Sequence, residues 1–302
     1  MTRTAAMAFA ATIVSAVSAH AQQVLSPTQT LAFDRPEAWA QQYFTSVSFL
    51  TGLGTALPES PGTVSVQVEG GWIPSLSPAR EQVGFAGTAS EDLNKAPVFF
   101  RPRVRVALPD RFAVIVGVVP PIHAFGVTPR LAAAAVEWTM IDNEPWRLSW
   151  RAHGQIGTVT GAFTCPDGVL TSPPGSTGNP TGCQASSSDV AALRYGAIEI
   201  DASRRIERFG DLTPHVTAAV NGIDSRFQVN AQTFGRLDQT VLQTKGVTWS
   251  TAVGASLPIG ERVAVSADAF YSPLIVRRPA TGPRTIDGLF NVRALVTYRI
   301  NR

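Results

Sequence analysis

Long apolar runs are scarce in this sequence, and that scarcity narrows the reading first. Beyond the first twenty or so residues the longest is "FAVIVGVVPPI" (112–122), which contains two prolines and falls well short of the roughly 20 residues that a spanning helix needs. Charge is scarce as well: charged residues are 16% of the 302, against roughly 25% in ordinary soluble domains. The net charge of +3 is spread along the chain without a basic cluster, so nucleic acid is not an expected partner. There are two cysteines and four histidines, in none of the spacings that hold zinc. No metal and no cofactor is therefore expected.

Glycine (25) and proline (22) are plentiful, as in a chain of short strands and turns. At the start, Arg3 precedes an apolar stretch from Ala5 to about Val17, and Ala19-His20-Ala21 forms an A-x-A site. Residues 1–21 read as a secretory signal peptide. Export to an oxidising compartment makes a Cys165–Cys183 disulfide the expected state of the loop "CPDGVLTSPPGSTGNPTGC".

Period-two patterning dominates the rest, because successive side chains on a strand point to opposite faces. In "NVRALVTYRIN" (291–301), Val292, Ala294, Val296, Tyr298 and Ile300 oppose Arg293, Thr297 and Arg299. "TVSVQVEGGW" sets Val64, Val66, Val68 and Trp72 against Glu69, and "FRPRVRVAL" sets Val104 and Val106 against Arg101, Arg103 and Arg105. "WRLSWRAHGQI" opposes Trp146, Leu148 and Trp150 to Arg147, Arg151 and His153. The same phase places Glu137, Glu199, Asp201 and Asp268 on polar faces. "FAVIVGVV" (112–119) is apolar on both faces, and "PRLAAAAVEWTM" (129–140) nearly so.

Tight turns near 108–111, 141–145 and 257–262 alternate with long connections at 74–97, 120–127, 159–189, 223–246 and 273–287. Short turns at one end and long loops at the other are the pattern of a transmembrane β-barrel. Ten strands are expected, and "YFTSVSFLTG" (43–52) or a hairpin within 226–243 would raise the count to twelve. "DRPEAWAQQYF" (34–44) reads as a short helix, with Pro36 in its first turn. The expected organisation is an N-terminal periplasmic segment over 22–62 and a single barrel domain over 63–302. Alternating strand directions put Trp72, Phe100, Trp249 and Tyr271 near one rim and Phe112, Trp138, Trp146 and Tyr298 near the other, as two aromatic girdles.

With these features the chain resembles Gram-negative outer-membrane β-barrel proteins, porin-like in the broad sense, from the signal peptide to Ile300. The resemblance implies an all-β antiparallel barrel in the outer membrane, in contact with outer-membrane lipid and lipopolysaccharide and inserted by the barrel-assembly machinery. In such proteins the last strand ends on an aromatic, whereas here Ile300 takes that place and Asn301 and Arg302 follow.

The polar faces would put Glu69, Arg101, Arg103, Arg105, Glu137, Arg147, Arg151, His153, Glu199, Asp201, Asp268, Arg293 and Arg299 in the lumen. Two uses follow. A narrow porin-like channel would take its selectivity from such charges, while the same charges in pairs would seal a structural or adhesive barrel that acts through its loops. Catalysis is the weaker expectation: Ser149 and His153 lie roughly 13 Å apart along one strand, too far for a nucleophile and its base. The arginines of "RRPATGPR" (277–284) read as a solvated loop.

Overall fold

The computed structural model describes residues 24–54 and 60–301; the expected signal peptide, residues 1–21, lies outside the described residues. The alternating segments form β1 (Val64–Trp72), β2 (Val98–Ala107), β3 (Phe112–Val119), β4 (Val127–Asn143), β5 (Trp146–Gly161), β6 (Tyr195–Arg204), β7 (Thr213–Gln228), β8 (Val241–Ile259), β9 (Val263–Ser272) and β10 (Leu289–Arg299). Each pairs antiparallel with the next, and β10 returns to β1 from Val292↔Trp72 to Arg299↔Ser65. The ten strands thus close a ring with no free edge. Asp189–Ala192 prolongs β6 in an unbroken register: Ala192 faces Thr158 of β5, and Tyr195 faces Gln155.

The polarity of the wall is the inverse of a soluble protein's. Val66, Val104, Val116, Ile156, Ile198, Val220, Val253 and Val296 point outward and are exposed, while Glu69, Arg101, Glu137, Glu199 and Arg293 are buried inside. That is the architecture of an outer-membrane barrel, whose apolar belt meets lipid. Trp72, Phe100 and Trp249 stand exposed near the end that carries the long loops, with Tyr271 against Trp249 at 6.1 Å between ring centres. Trp146 and Tyr298 stand exposed at the turn end, where Phe112 stacks on Trp138 at 5.9 Å.

The wall is uneven in height. β4, β5, β7 and β8 run for 17, 16, 16 and 19 residues, while β1, β2, β3 and β9 have 9, 10, 8 and 10. A membrane crossing takes roughly 9–11 residues, so the long strands rise well past the bilayer, chiefly at the loop end. Thr28–Leu31 adds a parallel strand to this tall side, pairing with Val241–Thr244 of β8.

Neither the 43–52 segment nor a hairpin within 226–243 joins the ring, which keeps ten strands. Within 226–243, Ala231–Thr233 and Arg236–Asp238 form a small hairpin that belongs to a separate sheet with Val24–Leu25. Over 43–52 the chain finishes a helix and then continues as irregular backbone without entering a sheet. That helix, α1 (Pro36–Val47), has proline in its first turn, where the missing N–H costs nothing. Neither in the periplasm nor tucked into the turn-end mouth, the two places the sequence leaves open for it, the helix sits inside the lumen toward the loop end: Trp39 donates to the Asp287 carbonyl at 2.8 Å and Tyr43 to that of Pro74 at 2.9 Å. Its aromatic stripe is completely buried against Phe270, Leu274 and Leu289, so it finds there the apolar cover that periplasmic water would deny it. Above it, Cys165 and Cys183 are joined in a disulfide, and the Asp189 carboxylate ties the loop down by accepting from the amides of Phe163, Thr164 and Asn230.

Candidate functional site

The lumen is occupied by the chain itself. A helix ends with unsatisfied carbonyls and a partial negative charge, and α1 has no basic residue in its last turn. The barrel wall supplies the cations. Arg293 donates to the carbonyls of Ser46 (3.2 Å), Val47 (3.4 Å), Phe49 (2.7 Å) and Thr51 (3.3 Å). Arg101 donates to Ser48 (2.9 Å) and Phe49 (3.2 Å), and Arg151 to Gly52 (3.0 Å) and Leu50 (3.5 Å). Every carbonyl from Ser46 to Gly52 thereby accepts from a guanidinium, and residues 36–54 form a plug.

Carboxylates hold the tip of the plug. Gly52 N–H donates to Glu199 at 3.0 Å, and Leu53 N–H to Asp268. Gly52, Leu53 and Gly54 all have positive φ, which turns two successive amides toward anions as a backbone nest does. Glycine is required at 52, since a Cβ there would lie 2.2 Å from the Asp268 carboxylate.

The same side chains pair with one another. Arg101 grips Glu69 through two hydrogen bonds of 2.8 and 2.9 Å, with Arg103 3.7 Å away. Arg105 and Arg151 share Glu137 at 3.1 and 2.7 Å, and Arg151 reaches Glu199 at 3.0 Å. His153 stands 3.5 Å from the Thr51 hydroxyl and 3.3 Å from that of Tyr195. Asp201 is buried among them without a hydrogen-bonding partner for either carboxylate oxygen. Arg147 and Arg299 lie apart from this network, both half-buried at the turn-end mouth, where Arg147 pairs with Asp142 at 3.2 Å.

A narrow or plugged lumen is what ten strands with paired charges imply, but sequence reasoning did not give residues 36–54 as the arginines' partner, nor the contact of His215 Nε2 with Asp268 at 2.8 Å. A signal was present nonetheless. The inner face of β3 and β4 carries Ile115, Ala133 and Ala135, which pack on Leu50 of the plug. An apolar patch on the inner face of a barrel needs something apolar inside it.

At the loop end the arginines of 277–284 are paired with carboxylates, Arg284 while still exposed to solvent. Arg277 and Arg284 both bind Asp34, at 2.8 and 2.6 Å, just before α1. Arg278 pairs with Asp287 and covers the Trp39 ring at 4.1 Å, with Arg80 also over that ring at 5.5 Å. The hydrogen bond from Arg277, aided by Arg284, holds the Asp34 carboxyl below its usual 3.8. A lowered carboxyl stabilises the fold above its unfolded value, and the contribution fades as pH falls through the folded value. Acidification below about pH 3.8 is thus expected to free the 275–286 hairpin from the plug, read as faster amide exchange at Val276 and Arg277. In D34N the protection factors, corrected for the intrinsic pH dependence of exchange, should be low already and should not fall further in acid.

No family model matches this chain, and no curated protein does. Among solved structures it is similar to the outer membrane protease OmpT from Escherichia coli at 11% identity, covering 79% of this chain and 94% of that one, with a TM-score of 0.39. It is similar to the translocator domain of the autotransporter NalP from Neisseria meningitidis at 9% identity, over 80% and 90% of the two chains, with a TM-score of 0.36. LpxR from Salmonella typhimurium matches at 10% identity, over 78% and 99%, with a TM-score of 0.32.

Proposed function

We propose that this protein is an outer-membrane barrel held shut by its own N-terminal segment, acting as a structural or binding barrel through the surface at its loop end. One observation carries the reading: seven consecutive plug carbonyls, Ser46 to Gly52, are taken up by arginines of the wall. Charges that would line a porin-like channel are spent on filling it. In this reading residues 1–21 direct export, the turn end faces the periplasm, and the loop end faces outward beside lipopolysaccharide.

The protein is not proposed to be an enzyme. Asp268 holds His215 through Oδ1 and the Leu53 amide through Oδ2, and both side chains are buried in the lumen, which supports a positioning role for the pair. Reconstituted into a planar bilayer, the intact protein is expected to leave the membrane silent. Discrete conductance steps from a verified folded sample would overturn the closed reading and restore the porin-like one.

A further inference from the structure

Behind the tall side of the wall, α1, the first long loop and the outer ends of β7 and β8 enclose a cavity of about 390 Å³, the size of a small-molecule site. Its body is apolar. Phe44, Phe163 and Phe227 meet in sequence, tilted and then edge to face, at 5.5 and 6.0 Å between ring centres, with Val83, Leu93 and Leu242 around them.

Three residues that line this cavity each carry a buried polar atom without a hydrogen-bonding partner: Gln41 Oε1, Thr164 Oγ1 and Glu91 Oε2. Gln41 is only 3% exposed and Thr164 8%. Buried polar groups without partners are costly, and these three can all accept. The other charges on the lining are accounted for or add to the deficit. Glu37 is paired with Arg35 at 3.0 Å and accepts from the Ala86 amide, and Asp238 holds Thr240. Burial first, then Asp189 and Glu37, push the Glu91 carboxyl well above the usual carboxylate range, so it takes an adjoining cation to hold it ionised, and Arg35, the cation on the lining, is paired with Glu37 instead.

A primary ammonium carries three N–H donors and one positive charge, and aromatic faces favour a cation nearby. We infer that this cavity binds a primary amine carried on an apolar body, its ammonium group meeting Glu91, Gln41 and Thr164 and its body lying among the phenylalanines. The inference rests on the loop end being the working surface, but its test is separate from conductance. Loss of amine binding would remove this ligand class and leave the closed lumen standing, whereas a conducting barrel could still bind the amine.

The probe is 4-phenylbutylamine, titrated calorimetrically into the full chain in lipid nanodiscs with empty discs subtracted, beside 4-phenylbutanol and 4-phenylbutyrate. Saturable one-to-one binding of the amine is expected, with the alcohol and the acid at least tenfold weaker. E91Q should bring the amine down to the level of the alcohol. T164V, which removes one acceptor and no charge, should weaken the amine severalfold and serves as the second variant if E91Q fails to fold. Equal binding of amine and alcohol would overturn the inference, as would an amine affinity untouched by E91Q in a folded barrel, or no binding at all.

Discussion

Deleting residues 24–54 is expected to turn a silent barrel into one that conducts in discrete steps. The ladder of β1 to β10 does not depend on this segment, which touches the ring's own hydrogen bonding only where Thr28–Leu31 lies along the rim of β8. Once the plug is gone, Arg101, Arg151 and Arg293 lose the carbonyls they now serve and regain water. A hydrated lumen tolerates charges that a dry one would not. The deleted barrel should retain its heat-modifiable migration on gels and show steps in a planar bilayer. Adding E69Q to the deletion should tilt those steps toward anions, because it leaves Arg101 and Arg103 without their shared carboxylate. A folded deletion variant that stayed silent would mean that the wall, not the plug, closes the lumen.

The second large effect is on stability. Arg151 is the hinge of the buried network, bonded to Glu137 at 2.7 and 3.0 Å and to Glu199 at 3.0 Å while also holding Gly52 of the plug. Glu137 would keep Arg105 if Arg151 were lost, but Glu199 would be left with no cation, only the Gly52 amide, the Thr51 hydroxyl and His153 at 3.9 Å. Removing one partner of a buried pair costs about 3–5 kcal/mol, because the other charge is stranded. R151M is therefore expected to lower the stability in urea by that order, followed by tryptophan fluorescence in lipid vesicles. R151M combined with E199Q should recover much of the loss, since no stranded charge remains. A loss under about 1 kcal/mol in R151M would be the value of a water-exposed pair and would show that solvent reaches the lumen at this level.

Much of the wall was legible in the sequence. Where every second residue is charged, as in β2, or where the alternation runs to the end, as in β10, the period alone assigns both face and strand. The ends of the tall strands were harder. "TVTG" at the top of β5 and "VLQTK" at the bottom of β8's sequence range stand above the lipid belt, where no apolar face is demanded, so the period weakens there while the pairing continues. The interior was half legible. Charge and phase named the groups that meet across strands, but the plug bonds through backbone carbonyls, which every residue has and which leave no mark on composition. "FAVIVGVV" looked ambiguous for a physical reason: one face meets lipid and the other meets Leu50. The amine cavity was illegible, because Gln41, Glu91 and Thr164 come from three distant segments, and nothing in their neighbours' period brings them together.

Residues 24–31 lie at one end of the ring and Gly62, bonded to Ala107, at the other. Residues 36–54 therefore run down the inside of a ring that the same chain closes at its β10–β1 seam. Such an object is threaded, and it can be made in only two ways: the seam is tied last, around a thread already in place, or the thread is drawn through afterward. In the first case the plug is the mandrel on which the sheet is wound, and Ile115, Ala133 and Ala135 are the marks of that fit. In the second the barrel has had one passenger, its own leading end, and has kept it.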